Sequence, residues 1–226
     1  SFQKIKNIKL NFFFVDGSYD NKTSKQIKKY FTKNYHIIKE HKKEISFFNP
    51  SSRCEASLLG FKWFINNTQI KLIADMDADL ASNPNDINKA LKIYNDTKSD
   101  LIIGSKYLKN SKISKRKLIR AFCSKIYTQV CKILISSKIK DYSAGYRFYS
   151  RKSLKKLVKK KQRYKSPTQH LENLLFYCEN NYKISEFPAI YIDSNKNSKS
   201  IKISHLLLFV CQLLNILLNF YLRKLK

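Results

Sequence analysis

Three aspartates stand at alternate positions where an apolar run ends: Ile70 to Ala74 leads directly into Asp75, and Asp77 and Asp79 follow. Alternate residues of an extended strand share a face, so a strand continuing through this stretch predicts three carboxylates pointing the same way. Like charges at that spacing repel. A hard divalent cation such as Mg2+ or Mn2+, which takes carboxylate oxygens, relieves the repulsion. The competing reading is a solvated acidic loop after an ordinary strand. A cation held there needs neighbouring elements to frame it.

Those elements alternate. Residues 8 to 15 read as a buried strand rich in Phe, ending in the polar turn Asp16-Gly17-Ser18-Tyr19-Asp20. Thr23 or Ser24 is a candidate cap for a helix reaching Lys33. Strands are expected at Tyr35 to Ile38 and Ile45 to Phe48, and helical periodicity runs from Glu55 to Asn66. Past the aspartates, Pro84 sits at a favourable first-turn position for a helix over Asn85 to Lys98. The strand Leu101-Ile102-Ile103 then ends in Gly104-Ser105-Lys106-Tyr107. Helices are also expected at 152 to 161 and 170 to 180, with an edge strand from Ile184 to Ile192 interrupted by Pro188. This alternation predicts an α/β sheet covered on both faces. Ligands of such sheets gather at the carboxyl ends of strands, where the polar clusters at 16 to 20, 75 to 79 and 104 to 107 all fall.

Composition narrows the partners. The chain has 226 residues, 43% hydrophobic, with 45 Lys and Arg against 16 Asp and Glu, a formal charge of +29 at pH 7. Such an excess favours nucleic acid, an anionic membrane surface or phosphorylated substrates. No recognition-helix, zinc or RNA-binding motif accompanies the charge, which argues against a specific nucleic-acid partner. The 5 cysteines are scattered without C-x-x-C spacing and read as reduced thiols rather than a disulfide or zinc framework.

Two helices carry apolar faces. Residues 115 to 137 form a basic amphipathic helix, with Leu118, Ile119, Phe122, Ile126, Val130, Ile133 and Leu134 on its apolar face. Residues 203 to 222 are apolar except for a narrow polar line, His205, Gln212, Asn215 and Asn219, continued by Arg223 and Lys226. A narrow polar stripe of that kind favours lying in a membrane interface, and the segment is marginal as a span. Lys199, Lys202 and Lys224 flank it and would meet anionic headgroups.

In order along the chain, these cues resemble glycosyltransferase family 2, closest to its polyprenyl-phosphate (dolichyl-phosphate-type) sugar transferases. Val15-Asp16-Gly17-Ser18-Tyr19-Asp20 is similar to the family's V-D-D-G-S-x-D turn, one residue shorter. Arg53-Cys54-Glu55-Ala56 with Gly60-Phe61 resembles G-K-G-x-A-x-x-x-G-F without the early glycines. Met76-Asp77-Ala78-Asp79-Leu80, followed by Pro84, resembles M-D-A-D-L-Q-H-x-P, with Ala81 at the Gln position. Ile103-Gly104-Ser105-Lys106-Tyr107 resembles V-G-S-R-Y, and Ser143-Ala144-Gly145-Tyr146-Arg147, with Asp141 before it, resembles S-G-F-R. Glu172 and Glu186-Phe187-Pro188 are similar to the family's later E and E-V-P.

The resemblance implies an inverting transferase of GT-A fold: a Rossmann-like α/β domain whose mixed sheet is flanked by helices, over residues 1–202. A C-terminal amphipathic, membrane-associated helix over 203–226 would follow. Asp16 would bind the base or ribose of a nucleotide-sugar donor, and Asp77 and Asp79 would hold Mg2+ or Mn2+ on its diphosphate beside Asp75. Asp79 is counted with the catalytic residues, and Arg53 and Ser143 with those that bind substrate. The acceptor would be a polyprenyl phosphate, positioned by Lys106, Lys125 and Arg147, or a cell-envelope glycan hydroxyl, with Glu172 as its base. Such a protein would work peripherally, at the cytoplasmic face of a membrane. The family's first strand has no counterpart before Ile8, and the single methionine is Met76, so an N-terminally truncated domain is expected. The same departures also fit an inactive, membrane-peripheral protein of transferase fold.

Overall fold

The computed structural model describes residues 8–17, 20–39, 53–114, 118–136, 138–160, 168–192 and 203–224. The strand expected at Ile45 to Phe48 lies outside them. β1 (Phe12–Asp16) and β2 (Tyr35–Lys39) form a parallel pair connected through α1 (Lys22–Tyr30). α2 (Arg53–Asn67) follows and leads into β3 (Leu72–Asp75). A 3-10 turn at Pro84–Asp86 opens α3 (Ile87–Thr97), and then come β4 (Leu101–Ser105), β5 (Lys112–Ser114) and α4 (Leu118–Leu134). β6 (Arg147–Ser150), α5 (Arg151–Leu157), α6 (Gln169–Glu179), β7 (Ile184–Pro188), β8 (Ile190–Ile192) and α7 (Ile203–Lys224) complete the order.

The main sheet has four strands in the order β3-β6-β4-β7. β7 is parallel to β4, whereas β6 is inserted antiparallel to both β3 and β4. The sheet is therefore mixed, and β3, β4 and β7 point their carboxyl ends the same way. Strand alternation divides the core into two faces. Ile73, Leu101, Ile103 and Tyr149 meet residues of α2, α4, α5, α6 and α7 on one side. Ile102, Phe148 and Phe187 meet Ile87 and Ala90 of α3 on the other. β4 is buried on both faces, which is why its sequence is a continuous apolar run rather than an alternating one.

Local chemistry sets the boundaries. Asn83 Oδ1 accepts from the Asn85 amide at 3.0 Å beside Pro84, and Lys98 ends α3 in the left-handed region at φ 52°. Ser150 caps α5, accepting from Ser153 N at 3.2 Å. Close packing favours glycine at 104: a β-carbon there would lie 3.0 Å from Tyr146 Cδ1 and 3.1 Å from Phe187 Cζ.

The structure departs from the sequence expectations in several places, among them α1, which starts at Lys22 with Thr23 and Ser24 inside the helix and ends at Tyr30. Ile8 and Leu10 pack against the α3-side core instead of extending β1, so that strand begins at Phe12. The strand expected over Ile184 to Ile192 is interrupted at Pro188 and lies at the sheet edge as expected, but beyond the break β8 turns to pair with β5, a short exposed strand without a periodic signal. Only part of the apolar face of α4 turns inward, because the helix seats itself through Thr128 and Cys131 and leaves Leu118, Phe122, Ile126 and Ile133 exposed. Two members of the polar line of α7 meet the protein, whereas Asn215 is exposed: Thr168 Oγ1 donates to Gln212 Oε1 at 2.7 Å, and Arg223 pairs with Glu179 at 2.7 Å, so α7 runs alongside α6.

Candidate active site

β3 stops at Asp75, and Asp77 and Asp79 lie in the turn beyond it. The expected run of three carboxylates along one strand face is thereby corrected. Asp79 Oδ1 accepts from the Ala81 amide at 2.9 Å, and Leu80 takes φ 60°, which converts the strand into a turn. Asp75 stays half-buried and accepts from Ser57 Oγ of α2 at 3.1 Å, while Asp77 and Asp79 are exposed. No group of three or more His, Cys, Asp or Glu side chains poised for a metal ion occurs among the described residues. Two exposed carboxylates two residues apart still match the hard-oxygen chemistry of Mg2+ or Mn2+, provided water and substrate oxygens supply the remaining ligands.

The same end of the sheet carries a buried charged cluster. Lys106 directly follows β4, and its Nζ lies 3.0 Å from Asp141 Oδ2. Asp141 also accepts from Lys106 N at 2.8 Å, Ser143 N at 3.0 Å and Ser143 Oγ at 2.8 Å. Burial alone would push the Asp141 carboxyl up. The Lys106 ammonium and these hydrogen bonds outweigh it and hold the group below its ordinary value. Behind it, Glu186 of β7 accepts from Lys140 N at 2.7 Å and Asp141 N at 3.0 Å, which fixes the loop that presents Asp141. Burial raises the Glu186 carboxyl, with those two amides opposing the shift. Ser124 of α4 joins the cluster through Ser143 Oγ at 2.7 Å and Tyr107 OH at 2.8 Å.

Arg147 opens β6 in register with Asp75 on one side and Ile103 on the other. It is fully buried. Its guanidinium donates to the carbonyls of Ala144 (2.9 Å), His170 (2.6 Å) and Tyr142 (3.4 Å), tying the loop before β6 to the start of α6. It thus braces the site from within rather than opening on to its surface. Glu172, one turn into α6, is buried and lies 3.6 Å from Lys160. Asp16 ends β1, buried, with Ser24 Oγ donating to it at 2.5 Å and Lys39 Nζ 3.2 Å away. Lys125 is exposed on α4 beside Ser124. Arg53 begins α2, and its side chain lies outside what the structure describes, as do Ser18 and Tyr19.

The sequence motifs therefore converge: Asp75, Lys106, Ser143 and Arg147 meet at one end of the sheet. Sequence reading missed Asp141 as the centre of the cluster, together with Glu186 as its support and Ser124 and Tyr107 as its hydroxyl links. The signal for Asp141 was a lone acid after a stretch, Leu101 to Lys140, that holds no Asp or Glu.

A sequence-family model described as glycosyl transferase family 2 matches residues 2–158. The chain belongs to glycosyl transferase family 2. Membership brings the GT-A fold with it, consistent with the mixed α/β sheet described above. Among curated relatives, a polyprenol monophosphomannose synthase of Mycolicibacterium smegmatis is 32% identical over 102 residues, 45% of this chain and 38% of that protein. An uncharacterized protein of Methanocaldococcus jannaschii is 28% identical over 146 residues, 62% of this chain and 59% of its own. The chain thus spans less than two thirds of the length of either of these relatives. No helix among the described residues is long and apolar enough to cross a membrane.

Proposed function

We propose that this family 2 chain transfers a sugar, with inversion, from a nucleoside-diphosphate donor to a polyprenyl phosphate at a membrane surface. The observation that carries the reading is the D-x-D turn of Asp77 and Asp79, set at the end of the sheet that also holds the Lys106–Asp141 cluster. The name of the M. smegmatis relative supports a lipid-phosphate acceptor. Asp16 binds the donor's nucleoside. Asp77 and Asp79 hold Mg2+ or Mn2+, whose chemistry is to neutralise the diphosphate leaving group. An acceptor phosphate oxygen attacks the anomeric carbon from the face opposite the diphosphate. The new C–O bond forms as the bond to the diphosphate breaks.

An acceptor that is already an anion needs orientation more than a base. Lys125, exposed beside Ser124, is the first cation it meets, and Lys106 is the inner one, held in place by Asp141. Arg147 supports both by fixing the loop through 142–144. In this reading Glu172 is a brace for the start of α6, and it becomes the base only if the acceptor is a glycan hydroxyl. The C-terminal helix α7 keeps the domain at the membrane.

The test is thermal stability with UDP- or GDP-sugars and manganese. A ligand at one hundred times its dissociation constant stabilises the folded state by about 2.7 kcal/mol. The melting temperature is therefore expected to rise with one of the two nucleotides, and only when the metal is present. Asp77→Ala should abolish the rise without lowering the melting temperature of the free protein, since Asp77 is exposed. Silence from both nucleotides in the wild-type chain would leave a transferase fold without donor binding.

A further inference from the structure

α4 has two faces that do different things. Outward, Leu118 is 87% exposed, Phe122 62%, Ile126 48% and Ile133 82%, at spacings that keep them in one stripe along the helix. Inward, Ser124 is hydrogen-bonded to Tyr107 and Ser143, hence to the Asp141 carboxylate that holds Lys106. α7 is a neighbour of the same kind. Tyr221 OH donates to the Leu134 carbonyl at 2.7 Å, Ile216 and Phe220 enter the core that also takes Cys131 of α4, and Leu214 and Leu218 remain 62% and 60% exposed. Large apolar side chains in continuous exposed stripes mark a surface that is covered in use.

Charge identifies the cover. No Asp or Glu occurs between Asp100 and Asp141 or after Asp193, whereas Lys112, Lys125, Lys132 and Lys138 lie on or near α4. A second copy of the chain would bring cations against cations, but an anionic bilayer meets both the apolar stripe and the charges around it. The seat of α4 is also incompletely satisfied. Thr128 is 2% exposed, and its hydroxyl has no hydrogen-bond partner among the described residues. Burying an unpaired hydroxyl is unfavourable, and a small shift of the helix would relieve it.

We propose that the outer face of α4, with α7 beside it, docks on an anionic lipid bilayer, and that Ser124 transmits this docking to the Lys106–Asp141 cluster, so that the site is ordered at the membrane surface. The inference rests on the lipid-phosphate acceptor of the preceding reading only for its purpose. Its physical content stands apart from catalysis.

The experiment compares flotation on phosphatidylcholine vesicles with and without phosphatidylglycerol, alongside two local probes. Cys123 and Cys211 are exposed on α4 and α7, and Cys54 and Cys131 are buried controls. Amide exchange at Lys106 and Ser143 reports the Asp141 cluster. The protein is expected to float with anionic vesicles several-fold more than with neutral ones. Alkylation of Cys211 and exchange at the two amides should slow together. Phe122→Asp with Leu218→Asp should abolish flotation while leaving the melting temperature and any nucleotide-induced shift unchanged. Ser124→Ala should float like the wild type but leave exchange at Lys106 and Ser143 unaltered by vesicles. Absence of flotation, or a concentration-dependent dimer that protects Cys211 without lipid, overturns the docking. A wild-type exchange response in Ser124→Ala overturns the relay. A missing nucleotide shift with intact flotation sinks only the donor-binding reading.

Discussion

Asp141 is buried with Lys106 as its cationic partner among the described residues, so its removal takes away the carboxylate that offsets the buried Lys106 charge. Breaking such a pair from one side costs about 3–5 kcal/mol, and Asp141→Asn should lower the chemical-denaturation midpoint accordingly. The pH dependence has a definite sign. The folded-state pKa of Asp141 is depressed, so the unfolded chain binds the proton more tightly. The contribution is complete above the unfolded carboxyl value of about 3.9 and is lost as pH falls from there through the lower folded value. Denaturation midpoints of wild type and Asp141→Asn should therefore converge below about pH 4; a gap that persists into strong acid would mean the aspartate acts by packing alone. Asp77 and Asp79 stand out in the sequence because their spacing is itself a chemical signal. Sequence reading could not rank Asp141, whose importance comes from a lysine 35 residues away and is created only when the loop before β6 folds back on the end of β4.

At the level of elements, β4 and β6 are held by groups that tolerate little change. The backbone of Gly104 lies against Tyr146 and Phe187, with approaches of 3.0 and 3.1 Å for any added β-carbon. Gly104→Ala must push two rings in a core already packed on both sides, and overpacking of this kind costs about 1–3 kcal/mol. A lowered melting temperature with unchanged far-ultraviolet circular dichroism is expected, and an unchanged one would show that the rings yield freely. Ser150 links three parts of the fold: it caps α5, donates to Asp100 Oδ1 at 3.1 Å, and sits 2.9 Å from the Ser153 hydroxyl. Ser150→Ala should cost about 1–2 kcal/mol, the upper range for a lost cap, read again from the denaturation midpoint. Most of these elements were legible because periodicity and capping residues are local signals; α3, α5, α6 and α7 fall within a few residues of expectation. Orientation was not legible. The polar line of α7 and the apolar face of α4 are visible in sequence, but which face meets the protein depends on partners such as Thr168 and Glu179, from distant parts of the chain.

For the molecule as a whole, charge sets the conditions under which the fold is most stable. Of the 16 acidic residues, Asp16, Asp86, Asp141, Glu172 and Glu179 are each already paired with a lysine or arginine. The cations beyond those pairs have few acids left to offset them, and the compact state draws them together in self-repulsion. Two salt effects then oppose each other. Salt weakens the partly exposed pairs, of which the Glu179–Arg223 bridge is one, but such pairs contribute at most about 1 kcal/mol each. Salt also screens the repulsion among the remaining cations over a Debye length of about 8–10 Å at physiological strength. With a net charge of +29, the second effect should dominate. The melting temperature is expected to rise from low to physiological sodium chloride, and the buried Lys106–Asp141 pair, shielded from solvent, should keep its contribution throughout. A polyanion held against the same surface acts as a concentrated form of that salt, so anionic vesicles should stabilise the fold most at low ionic strength and progressively less as chloride is added. A melting temperature that falls with salt in the absence of lipid would show that the surface pairs, and not the excess of lysines, govern the electrostatics of this protein.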